Sequence, residues 1–315
     1  MNNKVIQFSH NGKEINLSKR STNHGGHYKF NSPSGGYRFW NDLEVHKRKF
    51  MMHSGWFLKN LGDTFSTVPQ RADLLFWGEW EPQSRFELTG NPFDSKLPHA
   101  IHYPIFSQRG QGRHNTDPFV FGEHFYYTNC KQKRTGKGKM LLNLQAGSVI
   151  LFGSEMDKRH FVLDTVFVVN SSETVADYRN HKEEYNDMLR QATIDLGSGL
   201  APWKKLYKGE MYDFNRHYSD DSPYIFSFFP CKIDCGKTGF ERPKLDITKF
   251  KLQKPGAGTV LYAIDDEASN FWHELLAFLI NQGYSLGIKL DMPQNNDAIE
   301  FPEYLMKDSN CGMGC

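Results

Sequence analysis

The sequence predicts an α+β protein with a barrel-like or strongly curved mixed β-sheet and flanking helices. Three observations carry this. Gly147 to Val169 reads GSVILFGSEMDKRHFVLDTVFVV, two apolar, β-branched-rich runs around a short charged turn. That is the pattern of an antiparallel hairpin buried on both faces. Aromatic residues make up 14% of the 315 residues, enough to fill a β-rich core or line stacking pockets. Helical patterning is concentrated after residue 170.

Taken in order, Val5 to Phe8 and Glu14 to Leu17 flank Asn11-Gly12 and predict a hairpin. Ser18 to Gly36 is a polar, glycine-bearing loop. Asn41 to Phe50 reads as a short helix capped by Asn41 or Asp42. Leu74 to Trp80 reads as a strand, Glu81 to Thr116 as loops, and Phe119 to Tyr127 as another strand. Val175, Tyr178, Tyr185, Met188 and Leu189 form an apolar stripe that predicts a helix over Ser172 to Ala192. Ala268 to Asn281 is a second helix, capped by Asp265 or Asp266 and closed by Gly283. Tyr224 to Phe229, Thr259 to Ala263 and Tyr284 to Leu290 read as strands. The best division is 1–170, β-rich, and 171–315, mixed α/β, with a shared core as the alternative.

Bulk properties narrow the function. A net charge of +2 is too small for coating duplex nucleic acid by charge alone, though local basic patches remain open. Five cysteines, one of them unpaired within the chain, do not make a disulfide scaffold. The N-terminus has no apolar core of signal-peptide length. Phe271 to Ile280, the most apolar helical stretch, is too short to span a bilayer and carries His273 and Glu274. The expectation is a soluble, cytoplasmic protein with no membrane partner. A GxGxxG turn, a P-loop, a GxSxG elbow, an HExxH helix and a zinc-deaminase pattern are all missing, which lowers those classes. No cofactor is implied and no metal ligand set is assigned. Cys231, Cys235, Cys311 and Cys315 form two CxxxC pairs, a spacing one residue longer than the common zinc knuckle.

Four clusters can carry chemistry. In an unbroken strand Phe161, Leu163, Thr165, Phe167 and Val169 face one way, and Val162, Asp164, Val166 and Val168 the other. Asp164 is then the one carboxylate in an apolar row and needs a cation or hydrogen bonds. Trp77, Glu79 and Glu81 would share a strand face, with the two glutamates roughly 7 Å apart; Phe76 and Trp80 would take the other. Carboxylates beside an indole suit acid/base work, metal binding or a nucleobase edge. Arg109, Arg113, His114, Asn115 and Asp117 form a glycine-bearing polar loop suited to phosphate and polar contacts. Lys131, Lys133, Arg134, Lys137 and Lys139 form a loop with no acid, preceded by Tyr126 and Tyr127, which suits nucleic acid. Each cluster has an ordinary alternative: a structural ion pair, an amphipathic strand, a surface turn, a solvated loop.

Leu144 to Ser154 followed by Phe161 to Val169 resembles the central hairpin of PUA-like domains, the group with ASCH and EVE members. The resemblance covers about 30 residues and implies a small β-barrel that binds RNA or modified DNA. The expected function is recognition of a nucleotide or nucleic-acid base. Trp77 and Trp80 would stack, Glu79 and Glu81 would read base edges, and Arg109, Arg113 and the 131–139 loop would hold phosphate. The alternative is an enzyme acting on a nucleotide or nucleic acid with Glu79, Glu81 and Asp164 as acid/base or metal-binding groups. A third is a structural or interaction protein.

Overall fold

The computed structural model describes residues 3–10, 38–40, 48–82, 84–90, 97–106, 115–155, 159–195, 201–216, 224–236, 238–253 and 260–295. Two mixed sheets dominate. One contains β1 (Val5–Ser9), β7 (Tyr126–Tyr127), β8 (Val149–Glu155), β9 (His160–Thr174), β10 (Lys205–Gly209), β12 (Lys244–Asp246) and β13 (Val260–Ile264). Its order is β13-β1-β8-β9-β10-β7, with β12 on β9. The other contains β2 (Arg38–Trp40), β3 (Arg48–Leu58), β4 (Gln70–Glu79), β5 (Ser84–Leu88), β6 (Ala100–Phe106), β11 (Phe229–Lys232), β14 (Ser285–Leu290) and β15 (Gln294–Asn295). Its order is β14-β11-β4-β3-β6-β5-β2, with β15 on β6. Because β14 also pairs with β3, the strands β3, β4, β11 and β14 close into a four-stranded barrel. The β14–β3 ladder skips Ile288, a bulge whose added twist helps the sheet turn back on itself. The α+β class with a barrel-like sheet is what the sequence predicts.

The Gly147–Val169 hairpin forms as expected, with β8 antiparallel to β9. Helix Ala268–Asn281 also forms. Phe271, Leu275 and Leu279, with Trp272, Leu276 and Ile280, make its i, i+4 stripe and are buried. Gly283 closes it at φ 76°, but Glu267, not Asp265 or Asp266, is the N-cap, without a side-chain cap bond. Both sheets draw strands from either side of residue 170, and β9 runs through that position.

Four expectations are corrected. β1 has both edges taken, by β8 and β13, instead of lying at the edge of a local hairpin; Glu14 to Leu17, its expected partner, lies outside the described residues. Of the helix expected over Asn41 to Phe50, residues 41–47 lie outside the described residues and Arg48 to Phe50 begin strand β3, whose pairing with β4, β6 and β14 overrides local helical pattern. β5 and β6 lie within the stretch expected to be loops, while Phe119 to Tyr127 holds only the two-residue β7 and isolated bridges. Residues up to Thr174 extend β9, and only short turns of helix follow, Val175–Tyr178 being the first. No helix among the described residues is long and apolar enough to cross a membrane.

Candidate functional site

Two of the singled-out groups, Glu79 and Asp164, meet where the two sheets pack. Arg48 is opposite Glu79 in the β3–β4 ladder, and its guanidinium pairs with the Glu79 carboxylate. Its Nε lies 2.8 Å from Oδ2 of Asp164 on β9. Arg242, just before β12, donates to Asp164 from Nε at 2.9 Å and from Nη2 at 2.6 and 2.7 Å, and from Nη1 to Ser154 Oγ at 2.5 Å. Asp164 therefore ties Arg48 of one sheet to Arg242 beside the other. Burial works against the Arg48 charge, but Glu79 and Asp164 outweigh it and push its pKa up. The partner that Asp164 needs is thus two arginines: Arg242 hydrogen-bonds both of its oxygens, and Arg48 adds a close ion pair. This is a buried ionic tie, and it leaves Asp164 no proton-transfer role in the arrangement seen.

A β-bulge aims Asp164. Phe152 faces Thr165 and Gly153 faces Leu163, so Asp164 has no cross-strand partner. Gly153 permits this: a Cβ there would stand 2.1 Å from the Val162 carbonyl oxygen. The expected alternation is corrected accordingly. Phe161 and Leu163 join the same apolar cluster as Val166 and Val168, whereas Phe167 and Val169 join the other.

Trp77 and Trp80 are enclosed, at 4% and 0% exposure, which leaves no open ring face for a base. Their stacking role is corrected to packing. Trp77 donates from Nε1 to the Phe240 carbonyl at 2.9 Å and lies 5.9 Å from the Arg242 guanidinium, so it seats the segment that delivers Arg242. Trp80 packs on Phe119 and Phe121. Trp77 and Phe76 do fall in different clusters, as the alternation predicts.

Glu81 belongs to a second polar chain that leads to the surface. Its Oε2 accepts from the Asn115 backbone N–H at 2.6 Å, and Asn115 Nδ2 donates to Cys130 Sγ at 3.2 Å. Asp117 accepts from the N–H groups of Thr128 and Cys130, both at 2.9 Å, with the left-handed Asn129 between them. Burial pushes the Asp117 carboxyl well above the usual range, against those two hydrogen bonds, and Glu79 adds to the rise. Burial likewise pushes the Cys130 thiol well up, with Asp117, Glu79 and Glu81 contributing, which disfavours the thiolate. An acid whose folded pKa exceeds its unfolded value binds more protons when folded. Asp117 therefore favours the folded state at low pH, and that contribution is lost as pH rises from about 4 through the folded pKa. Asp117→Asn should remove this limb, up to about 1.4 kcal/mol per pH unit, when urea unfolding is measured across pH. Superimposable wild-type and variant profiles would contradict it.

Beyond Cys130 the chain enters the basic loop. Lys131, Lys133, Arg134, Lys137 and Lys139 are all exposed and have no ion pair among the described residues. The loop is nonetheless held from beneath. Buried Gln132 donates to the Lys205 carbonyl and accepts from the Lys205 N–H, both at 2.8 Å, as a strand neighbour would. Tyr127 OH donates to the Cys130 carbonyl at 2.6 Å, and Tyr207 OH to the Leu141 carbonyl at 2.7 Å. Gly138 lets the 3-10 helix Gly136–Leu142 fold back, since a Cβ would meet the Lys131 carbonyl oxygen at 2.3 Å. Arg134 lies 5.0 Å from the Trp203 ring centre. Trp203 and Gln132 were not singled out in the sequence, because their partners are about seventy residues away.

Arg109, Arg113, His114, Cys311 and Cys315 lie outside the described residues. Cys231 is buried in β11, where its thiol donates to the Ser285 carbonyl at 3.6 Å and burial raises its pKa far above the usual thiol value. Among the described residues no group of three or more His, Cys, Asp or Glu side chains could hold a metal ion. The chain matches no protein-family model, no curated protein and no solved structure in comparisons with each.

Proposed function

We propose that the protein binds a nucleotide or nucleic acid, with phosphate held on the 131–139 loop. The observation that carries this is the anchoring of five exposed cations, unpaired among the described residues, over a buried base. Like charges ordered this closely repel one another, and a polyanion relieves that repulsion. A loop needed only for solubility gains nothing from being fixed by Gln132, Tyr127 and Tyr207. Glu81 and Asn115 support the loop from its foot: the buried Glu81 carboxylate accepts from the Asn115 N–H, and the Asn115 amide donates to Cys130 Sγ. The PUA-like hairpin resemblance of residues 144–169 points to the same ligand class. Glu79 and Asp164 serve this function indirectly, by locking the sheets together.

Fluorescence anisotropy with a labelled single strand, a labelled duplex and a labelled nucleoside triphosphate at low salt tests the proposal. The expected outcome is binding by the wild type and at least about a tenfold loss when all five cations are replaced by glutamine, with unfolding stability retained because the side chains are exposed. No binding to any probe at low salt, or equal binding by the variant, would refute it.

A further inference from the structure

We infer that the ligand of the basic loop is a single strand, one of whose bases stacks on Trp203; this rests on the nucleic-acid reading above. Trp203 is partly exposed on a turn held by three backbone hydrogen bonds: Lys204 N–H to the Ala201 carbonyl at 2.9 Å, Val175 N–H to the Lys204 carbonyl at 2.8 Å, and Ala176 N–H to the Pro202 carbonyl at 3.3 Å. An indole fixed in this way loses little freedom when a ring stacks on it. Arg134 approaches one ring face, an arrangement that sets a cation and an aromatic surface side by side. The Gln132–Lys205 pair ties the loop to the strand that follows Trp203, so loop and indole form one unit.

The other tryptophans whose side chains are described do not offer this. Trp77, Trp80 and Trp272 are enclosed. Trp56 is exposed but lines a separate cleft with Tyr212, Phe214 and Lys289, and its neighbouring cations Arg71 and Lys289 are already paired with Asp291 and Glu123. Trp203 is flanked by Arg134 on one side and by Lys204 and Lys205 along the chain. Phosphates on cations with a base on an adjacent ring is the arrangement by which single strands are held. A duplex keeps its base faces stacked internally, so it would meet the cations but not the indole. Duplex reading also calls for a helix or ribbon that enters a groove. The 3-10 helix Gly136–Leu142 is short, and Leu141 roots it in the core.

The test is binding of a 15-nucleotide oligo(dT) and of a duplex of equal length to wild type, Trp203→Ala and Trp203→Phe, with thermal melts confirming folding. Trp203→Ala should weaken oligo(dT) binding by about 5- to 150-fold, while leaving the salt dependence and duplex binding unchanged. Trp203→Phe should keep most of the affinity. Tighter wild-type binding to duplex than to oligo(dT) would overturn the inference. So would unchanged oligo(dT) binding by Trp203→Ala alongside a loss in the five-cation variant, and the basic-loop reading would then survive. No wild-type binding to either probe would sink the inference, and the basic-loop reading would then be decided by the labelled nucleoside triphosphate.

Discussion

Asp164→Ala should destabilise the protein by about 3–5 kcal/mol, read as a lower midpoint in urea unfolding. The magnitude comes from what is left behind. Arg48 is buried against Glu79 and Asp164, and Arg242 makes three hydrogen bonds to the Asp164 carboxylate. Without Asp164, Arg242 keeps only Ser154 among these partners, and Arg48 keeps Glu79. A buried cation stripped of its counter-ion loses far more than an exposed salt bridge ever contributed. Asp164→Asn tests the charge separately: the amide keeps the shape but cannot accept from both arginines through two anionic oxygens. A loss under about 1 kcal/mol for Asp164→Ala would show that the tie does not hold the sheets together.

Gly153→Val should be nearly as damaging, at about 3 kcal/mol or more. A Cβ at this position would stand 2.1 Å from a backbone oxygen and 2.5 Å from the Phe161 ring, and backbone cannot swing aside as a flexible side chain can. The bulge would have to shift, and Asp164 would move off its arginines with it. The two substitutions should therefore be non-additive: in an Asp164→Ala background Gly153→Val should cost at least about 1 kcal/mol less than alone. Strict additivity would mean that the bulge does not position Asp164.

These two positions also show how far the sequence reaches. Its apolar alternation is enough to predict the hairpin and the α+β class, because strand periodicity is a local property. The bulge is invisible in that pattern: Leu163-Asp164-Thr165-Val166 reads equally well as unbroken alternation, and only pairing with Gly153 shows the slip. The need of Asp164 for a cation follows from burial alone. The identity of the cations does not, since Arg242 is 78 residues away and Arg48 sits in a stretch with local helical character. The same limit applies to the tryptophans. Residue type marks Trp77 and Trp80 as stacking candidates, but burial is decided by tertiary packing, and it encloses both while leaving Trp203 partly exposed. The basic loop is legible because charge composition is local. Its rigidity is not, because Gln132 and Tyr127 act through strand Lys205–Gly209 and backbone far along the chain or folded under it.

The salt dependence of oligonucleotide binding tests the central claim most directly. Each phosphate neutralised on a single strand contributes about 0.7 to the slope of log K against log salt. If the five loop cations engage phosphate, the wild-type slope should be steeper than that of the five-glutamine variant by roughly 3 to 4. Equal slopes for the two proteins would contradict the account, because the loop would then carry none of the phosphate contacts.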